Sequence, residues 1–147
     1  MGGLDDLYQE LILYLYSRKR GEGSLESPSV AVDQNNPLCG DEVHLELGID
    51  DGRVVELAHT GQGCSISQAS VSMMSQAITG RSLDEALELI EHFRQMMHGA
   101  EPGDEERLGD AIALEGVAKY PVRVKCALLG WMAAKDAIQT YNANGRG

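Results

Sequence analysis

Hydrophobic and polar positions alternate along the chain between residues 29 and 60, as they do in a strand that buries one face. The clearest alternation covers residues 43–49. The run Asp50–Asp51–Gly52 then predicts a hairpin turn, after which residues 54–57 lead the chain back. With a shorter alternation at residues 30–32, the pattern predicts three antiparallel strands in one small sheet.

The rest of the chain has helical periodicity. Ser82 and Glu85 have the spacing of a capping box, so they predict a helix start, and Pro121 can open the last helix. Gly80 is expected to end the helix before the capping box. The pattern predicts helices over about 4–18, 65–80, 82–97, 105–116 and 121–141.

Strands followed by helices indicate an α+β fold, here a small three-stranded antiparallel sheet covered by helices on one face. A length of 147 residues suits a single domain spanning 1–147 with a sizeable core. Residues 142–147 are expected to be a disordered tail.

The net charge of the chain limits the classes of molecule that it could bind. The formal net charge is −11, which argues against a protein that binds nucleic-acid phosphates and favours a partner with a basic surface. No apolar run approaches the ~18 residues that suggest a membrane span. The N-terminus is acidic where a secretory signal would be basic, so we expect a cytoplasmic protein without a membrane partner.

Three cysteines lie far apart in the sequence: Cys39, Cys64 and Cys126. An odd number in a cytoplasmic protein does not predict a disulfide framework. Their spacing is not that of a local zinc ribbon or finger, and three small buried hydrophobic residues would satisfy the same observation.

The residues around the cysteines favour a metal site. Cys39 and Asp41 are separated only by Gly40, which lets both side chains turn toward one point. Cys64 follows Gly61 and Gly63, which permit a sharp turn, at a predicted helix start where amide donors stabilise a thiolate. Three sulfurs and one carboxylate oxygen are a plausible tetrahedral zinc set.

Each of these residues also has a simpler interpretation. Asp41 alone is typical of a turn or a helix cap, and Arg123 and Lys125, which flank Cys126, are typical of a solvated helix face that could also compensate the charge of a thiolate site. Among the histidines only His44 is close enough in sequence to Asp41 to be considered. His92 and His98 are expected on a solvated helix face, and Trp131, Met73 and Met74 in the core.

Five sequence runs together resemble the U-type iron–sulfur cluster assembly proteins, and within them the SufU branch. The resemblance covers about residues 8 to 141, nearly the whole chain. The runs are NNPLCGD, GQGCSISQAS, SMMSQ, LGDAIALEGV and YPVRVKCALLGW.

This resemblance implies a three-stranded sheet covered by helices and a zinc ion held by Cys39, Asp41, Cys64 and Cys126. It also implies that Cys39 accepts sulfur from the persulfide of SufS, a pyridoxal-phosphate cysteine desulfurase, for the downstream iron–sulfur assembly machinery. Arg123 would be a second residue of the catalytic site, tuning it from outside the ligand set.

Two features distinguish the SufU branch from the similar IscU scaffold branch. Lys125 stands where IscU proteins carry a histidine, and the segment HGAEPGDEERLGD is longer than in IscU. Both favour a sulfur acceptor over a cluster scaffold. Such a protein would be a persulfide acceptor rather than a stand-alone catalyst. Two alternatives stay open: a scaffold that builds a [2Fe–2S] cluster on the same four ligands, and a purely structural zinc site.

Overall fold

A computed structural model describes residues 21–37, 40–101, 103 and 105–144 of the chain. The helix predicted over 4–18 lies outside the described residues, and so do Cys39 and residues 145–147.

Three strands, β1 (Val30–Asn36), β2 (Asp41–Asp50) and β3 (Arg53–Gln62), form one antiparallel sheet in the order β1-β2-β3. The hairpin between β2 and β3 turns at Asp51 and Gly52, which both have positive φ (53° and 71°). That is the backbone of a type I′ turn, whose twist matches that of the flanking strands. The three-stranded sheet predicted from the alternation is therefore confirmed.

The helices follow the sheet, as predicted. The capping box is present: Glu85 N–H donates to the Ser82 hydroxyl and Ser82 N–H donates to the Glu85 carboxylate. The elements are α1 (Ser65–Ile78), α2 (Leu83–Met97), α3 (Glu105–Leu108), a 3-10 helix (Gly109–Lys119) and α4 (Pro121–Ala143).

Two helix boundaries differ from the prediction. The helix expected over 105–116 is one α-helical turn followed by a 3-10 helix, and the change occurs at Gly109, whose φ of +56° is left-handed. The last helix continues past Tyr141 to Ala143, so the expected tail begins later than residue 142. Tyr141 packs against the core, which holds this last turn in place.

Helix α4 is central to the packing, because it contacts β1, β2, α1 and α2. Trp131 on α4 is fully buried and stacks on Phe93 of α2, with ring centroids 4.1 Å apart and planes 7° from parallel. Met73 and Met74 are also fully buried, so the predicted core residues are confirmed. Among the described helices, none is long and apolar enough to span a membrane.

Candidate metal site

Asp41 is the first residue of β2, and its side chain is only 1% exposed. A tight turn precedes it: Gly40 N–H donates to the Asn36 carbonyl at 2.9 Å, and Gly40 has a φ of +70°. Asn36 then pairs with Asp41 as β1 meets β2. The alternation of β2 places Asp41 on the same buried face as Val43 and Leu45, where the helices pack.

Cys64 is the N-cap residue of α1 and is half-buried. Its backbone N–H donates to Asp41 Oδ1 at 3.1 Å, and its Sγ lies 4.0 Å from Asp41 Oδ2. The Cys64 carbonyl accepts two hydrogen bonds, from Gln68 N–H at 3.0 Å and from the Ser67 hydroxyl at 3.1 Å. Both the strand end and the helix start therefore fix the Asp41–Cys64 pair.

Cys126 approaches from the second turn of α4 and is fully buried. Its Sγ lies 3.7 Å from the carbonyl oxygen of Val122, one turn earlier. The ligand atoms of Asp41, Cys64 and Cys126 all lie within 4.8 Å of one another. The start of β2, the start of α1 and the start of α4 thus bring together three residues that are far apart in the sequence.

The spacing of these three donors fits a tetrahedral zinc ion after a small contraction. Three atoms at most 4.8 Å apart surround a point about 2.8 Å from each, whereas zinc needs ~2.3 Å to sulfur and ~2.0–2.2 Å to oxygen. The observed Sγ–Oδ2 separation of 4.0 Å is already close to the roughly 3.6 Å of a tetrahedral sulfur–oxygen edge. Two sulfurs and one oxygen also match the preference of zinc for thiolate with carboxylate.

Cys39 lies outside the described residues, but its neighbours constrain where a fourth ligand could come from. Gly40 links it to Asp41, so chain connectivity keeps its Cα within about 7 Å of the Asp41 Cα. A shallow cavity of about 210 Å³ opens beside Asp41. It is lined by Asn35, Asn36, Pro37, Gly40, Asp41 and Glu42.

Arg123 and Lys125 lie on the exposed side of α4, close in sequence to the buried Cys126. Neither side chain makes a hydrogen bond or an ion pair with another residue in the part of the chain that the structure describes. A direct role for Arg123 in the site thus stays a prediction.

The histidines lie away from the three donors. His44 points to the opposite face of β2 from Asp41 and bonds Glu46 (2.9 Å) and Asp33 (2.8 Å), so it does not join the site. Those two bonds, the one to Glu46 first, raise the pKa of His44 above its ordinary value. His98 is exposed, as predicted, whereas His92 is half-buried and its Nδ1 has no hydrogen-bond partner among the described residues.

The sequence was misleading about one of the two glycines before Cys64. Gly61 has a left-handed φ of +146°, but Gly63 does not, and β3 continues through Gln62 without a sharp turn. Gly63 instead packs against the Asp41 carboxylate and the Ser67 hydroxyl. Spacing alone gives no signal for such a contact.

Comparison with known proteins identifies the family of this chain. A family model described as the NifU-like N-terminal domain matches residues 7–127, which include all three cysteines and Asp41. The chain belongs to the NifU-like N-terminal domain family. The resemblance noted in the sequence is therefore confirmed.

Its relatives include members of both functional classes that the sequence left open. The chain is 44% identical to the zinc-dependent sulfurtransferase SufU of Bacillus subtilis, over 92% of this chain and 91% of that protein. It is 41% identical to the iron–sulfur cluster assembly scaffold protein IscU of Streptococcus pyogenes, over 92% and 85%. Among solved structures, FiSufU of Fervidobacterium islandicum superposes with a TM-score of 0.83 at 36% identity, over 88% of this chain and 94% of that one.

Proposed function

We propose that this protein is a zinc-dependent sulfur acceptor in iron–sulfur cluster biogenesis, and that it takes persulfide sulfur from a cytoplasmic cysteine desulfurase of the SufS type. The observation that supports this most strongly is the convergence of Asp41, Cys64 and Cys126 within 4.8 Å, with a further cysteine two residues before Asp41. The 44% identity to a zinc-dependent sulfurtransferase points the same way.

In this proposal the four ligands have different tasks. Asp41, Cys64 and Cys126 are held by a strand end and two helices, and two of the three are almost fully buried, so they act as anchors. Cys39 directly precedes Gly40 in the sequence and is the residue proposed to react. Zinc, when bound, would keep the thiols deprotonated at neutral pH.

The transfer step needs no external oxidant or reductant. The Cys39 thiolate attacks the outer sulfur of the desulfurase persulfide and forms a new S–S bond. The S–S bond within the donor persulfide breaks, and the desulfurase cysteine leaves as a thiolate. One sulfane sulfur has then moved from the desulfurase to Cys39. The reaction starts and ends with one thiolate and one persulfide, so there is no net oxidation or reduction.

The exposed cations beside the site are proposed to assist this step. Arg123 and Lys125 lie on the solvent side of α4, in a chain whose net charge is −11. Their positive charges would stabilise the anionic persulfide as it approaches Cys39. Arg123→Ala is then expected to slow sulfur transfer while leaving zinc affinity unchanged, because Arg123 is not in the ligand set.

The substitution Cys39→Ser tests the proposal. We expect the variant to lose sulfur acceptance and stimulation of the desulfurase, measured as alanine formed from cysteine with and without a reductant. A structural zinc site predicts the opposite pattern, in which Cys39→Ser lowers thermal stability but transfers sulfur like wild type. Transfer at the wild-type rate would overturn the proposal.

A scaffold function is the second candidate, and the 41% identity to an IscU scaffold supports it. It would use the same donors to hold a [2Fe–2S] cluster, since thiolates bind iron as well as zinc. Anaerobic reconstitution with iron and sulfide separates the two functions. A stable cluster that passes intact to an apo-acceptor, from a protein purified without zinc, would favour the scaffold.

A further inference from the structure

Gly63 lies against the Asp41 carboxylate and the Ser67 hydroxyl, which leave no room for a side chain. Its backbone is outside the left-handed region, so other residues could adopt its conformation. A Cβ built on Gly63, however, would lie 2.6 Å from Asp41 Oδ1 and 3.0 Å from Asp41 Cγ, and closer still to the Ser67 hydroxyl. The missing side chain thus leaves the volume that the carboxylate occupies.

The two oxygens of Asp41 have different surroundings. Oδ1, the oxygen next to Gly63, accepts the hydrogen bond from Cys64 N–H at 3.1 Å. Oδ2 lies 4.0 Å from Cys64 Sγ, on the side where the donors converge. Because Asp41 is 1% exposed, it has little freedom to move to another position.

Ser67 closes the other side of this space. Its hydroxyl donates to the Cys64 carbonyl at 3.1 Å, and the residue is 2% exposed. A methyl group at position 63 would therefore meet a fixed hydroxyl on one side and the carboxylate on the other. The carboxylate is the one of these two groups that belongs to the proposed ligand set, so any shift that it takes up changes its position relative to Cys64 and Cys126.

We propose that Gly63 is a positioning residue for the Asp41 carboxylate, and that metal affinity depends on Gly63 through Asp41. This inference rests on the proposed zinc-binding role of Asp41, Cys64 and Cys126. Gly63 touches none of the reacting atoms in the proposed transfer.

The size of the effect follows from the distances. An ordinary contact begins at 3.4 Å, whereas the added Cβ would lie 2.6 Å from Oδ1. A carboxylate that relieves this contact alone moves by about 0.8 Å, several times the ~0.2 Å within which ligand distances normally stay. Supporting residues of metal ligands typically change affinity by ~10–100-fold, so we expect Gly63→Ala to weaken zinc binding by a factor in that range.

Zinc titration of the full chain in competition with a chelating indicator measures this effect. The matched control is Gly116→Ala, because Gly116 is exposed, has no left-handed φ and has open space where its Cβ would be. We expect the Gly116→Ala affinity to equal that of wild type. An unchanged affinity for Gly63→Ala would overturn the inference.

A double-mutant cycle shows whether Gly63 acts through Asp41. In an Asp41→Ala background the carboxylate is gone, so adding Gly63→Ala should change zinc affinity less than 2-fold, within the scatter of about 0.4 kcal/mol for independent sites. The same loss of 10-fold or more in both backgrounds would instead indicate a general distortion of the α1 start and would overturn the inference.

The melting temperature of each zinc-free variant keeps the test decisive if Gly63→Ala folds poorly. Asp41→Ala should then improve the folding of the double variant, because it removes the carboxylate, one of the two groups that the methyl group meets. Failure of both proteins to fold would refute the role assigned to Asp41. If wild type itself binds no zinc, the proposed function fails. If wild type binds zinc and Gly63→Ala binds it equally well, only the inference about Gly63 fails.

Discussion

Replacing Asp41 by Asn should separate metal binding from folding. The carboxylate is almost fully buried, and no cation pairs with it among the described residues; its described bond partners are the N–H and the Sγ of Cys64. Asparagine has nearly the same shape and can still accept from Cys64 N–H with its amide oxygen. The variant therefore keeps the positioning hydrogen bond and removes the charge that the zinc ion would neutralise.

The substitution is expected to stabilise the zinc-free protein and to reduce the stabilisation that zinc provides. In the zinc-free protein, a buried unpaired carboxylate costs several kcal/mol, while the weaker hydrogen bond of a neutral acceptor loses only about 1 kcal/mol. Asp41→Asn should thus melt above wild type. At free zinc 1,000 times the wild-type Kd, wild type gains about 4.1 kcal/mol, which is roughly 8–16 °C for a chain of this size. A 100-fold weaker variant gains only about 1.4 kcal/mol.

Thermal unfolding followed by the fluorescence of Trp131, the only tryptophan of the chain, measures both effects. The assay compares wild type and Asp41→Asn in a chelator and at a fixed free zinc concentration. Zinc should raise the melting temperature of wild type about three times as much as that of Asp41→Asn. Equal zinc-induced shifts in both proteins would refute Asp41 as a ligand, and a large loss of stability of the zinc-free variant would refute the cost assigned to its buried charge.

Three further predictions concern the framework around the site. Ser70→Ala should lower the free energy of unfolding by about 1–3 kcal/mol in urea, because it leaves Trp131 Nε1–H without its 2.9 Å acceptor, whereas Ser72→Ala, whose buried hydroxyl has no partner among the described residues, should be neutral. Ser82→Ala should lower the free energy of unfolding by about 1 kcal/mol because it removes the capping box. Ser24→Ala, at an exposed position, is the control, and an equal effect of both substitutions would contradict the capping role of Ser82. The raised pKa of His44 predicts that its two bonds stabilise the folded protein. This stabilisation should be fully present below about pH 6.5 and lost as the pH rises through the folded-state pKa. Since the pairs are partly exposed, this stabilisation should amount to less than about 1 kcal/mol. The free energy of unfolding, measured at pH 6 and pH 9, should change less with pH for His44→Gln than for wild type.

Local signals in the sequence were sufficient for most of the fold. The period-2 alternation of β2 and the Asp51–Gly52 turn depend on nearest neighbours, and the capping box depends on residues three apart. The 3-10 helix over Gly109–Lys119 was not predicted, because hydrophobic spacing over 11 residues does not distinguish i→i+3 from i→i+4 hydrogen bonding, and the left-handed φ of Gly109 was not anticipated.

The candidate site was predictable only in part, for a related reason. Cys64 at a helix start can be recognised from its neighbours, but its hydrogen bond to Asp41 joins residues 23 positions apart. The pairing of His44 with Asp33 and Glu46 also depends on strand register, which places His44 on the face opposite Asp41. The reason for Gly63 appears only when the carboxylate is placed beside it.

The central claim is that Cys39 accepts sulfur in a protein that binds zinc through Asp41, Cys64 and Cys126. The most direct measurement is peptide-level mass spectrometry after mixing the protein with a SufS-type desulfurase and cysteine, together with the zinc content of the same sample. The account predicts close to one zinc per chain before mixing and an added mass of about 32 Da, one sulfur atom, on the peptide that contains Cys39. A zinc-loaded protein that carries the added sulfur on Cys64 or Cys126 and none on Cys39 would contradict it.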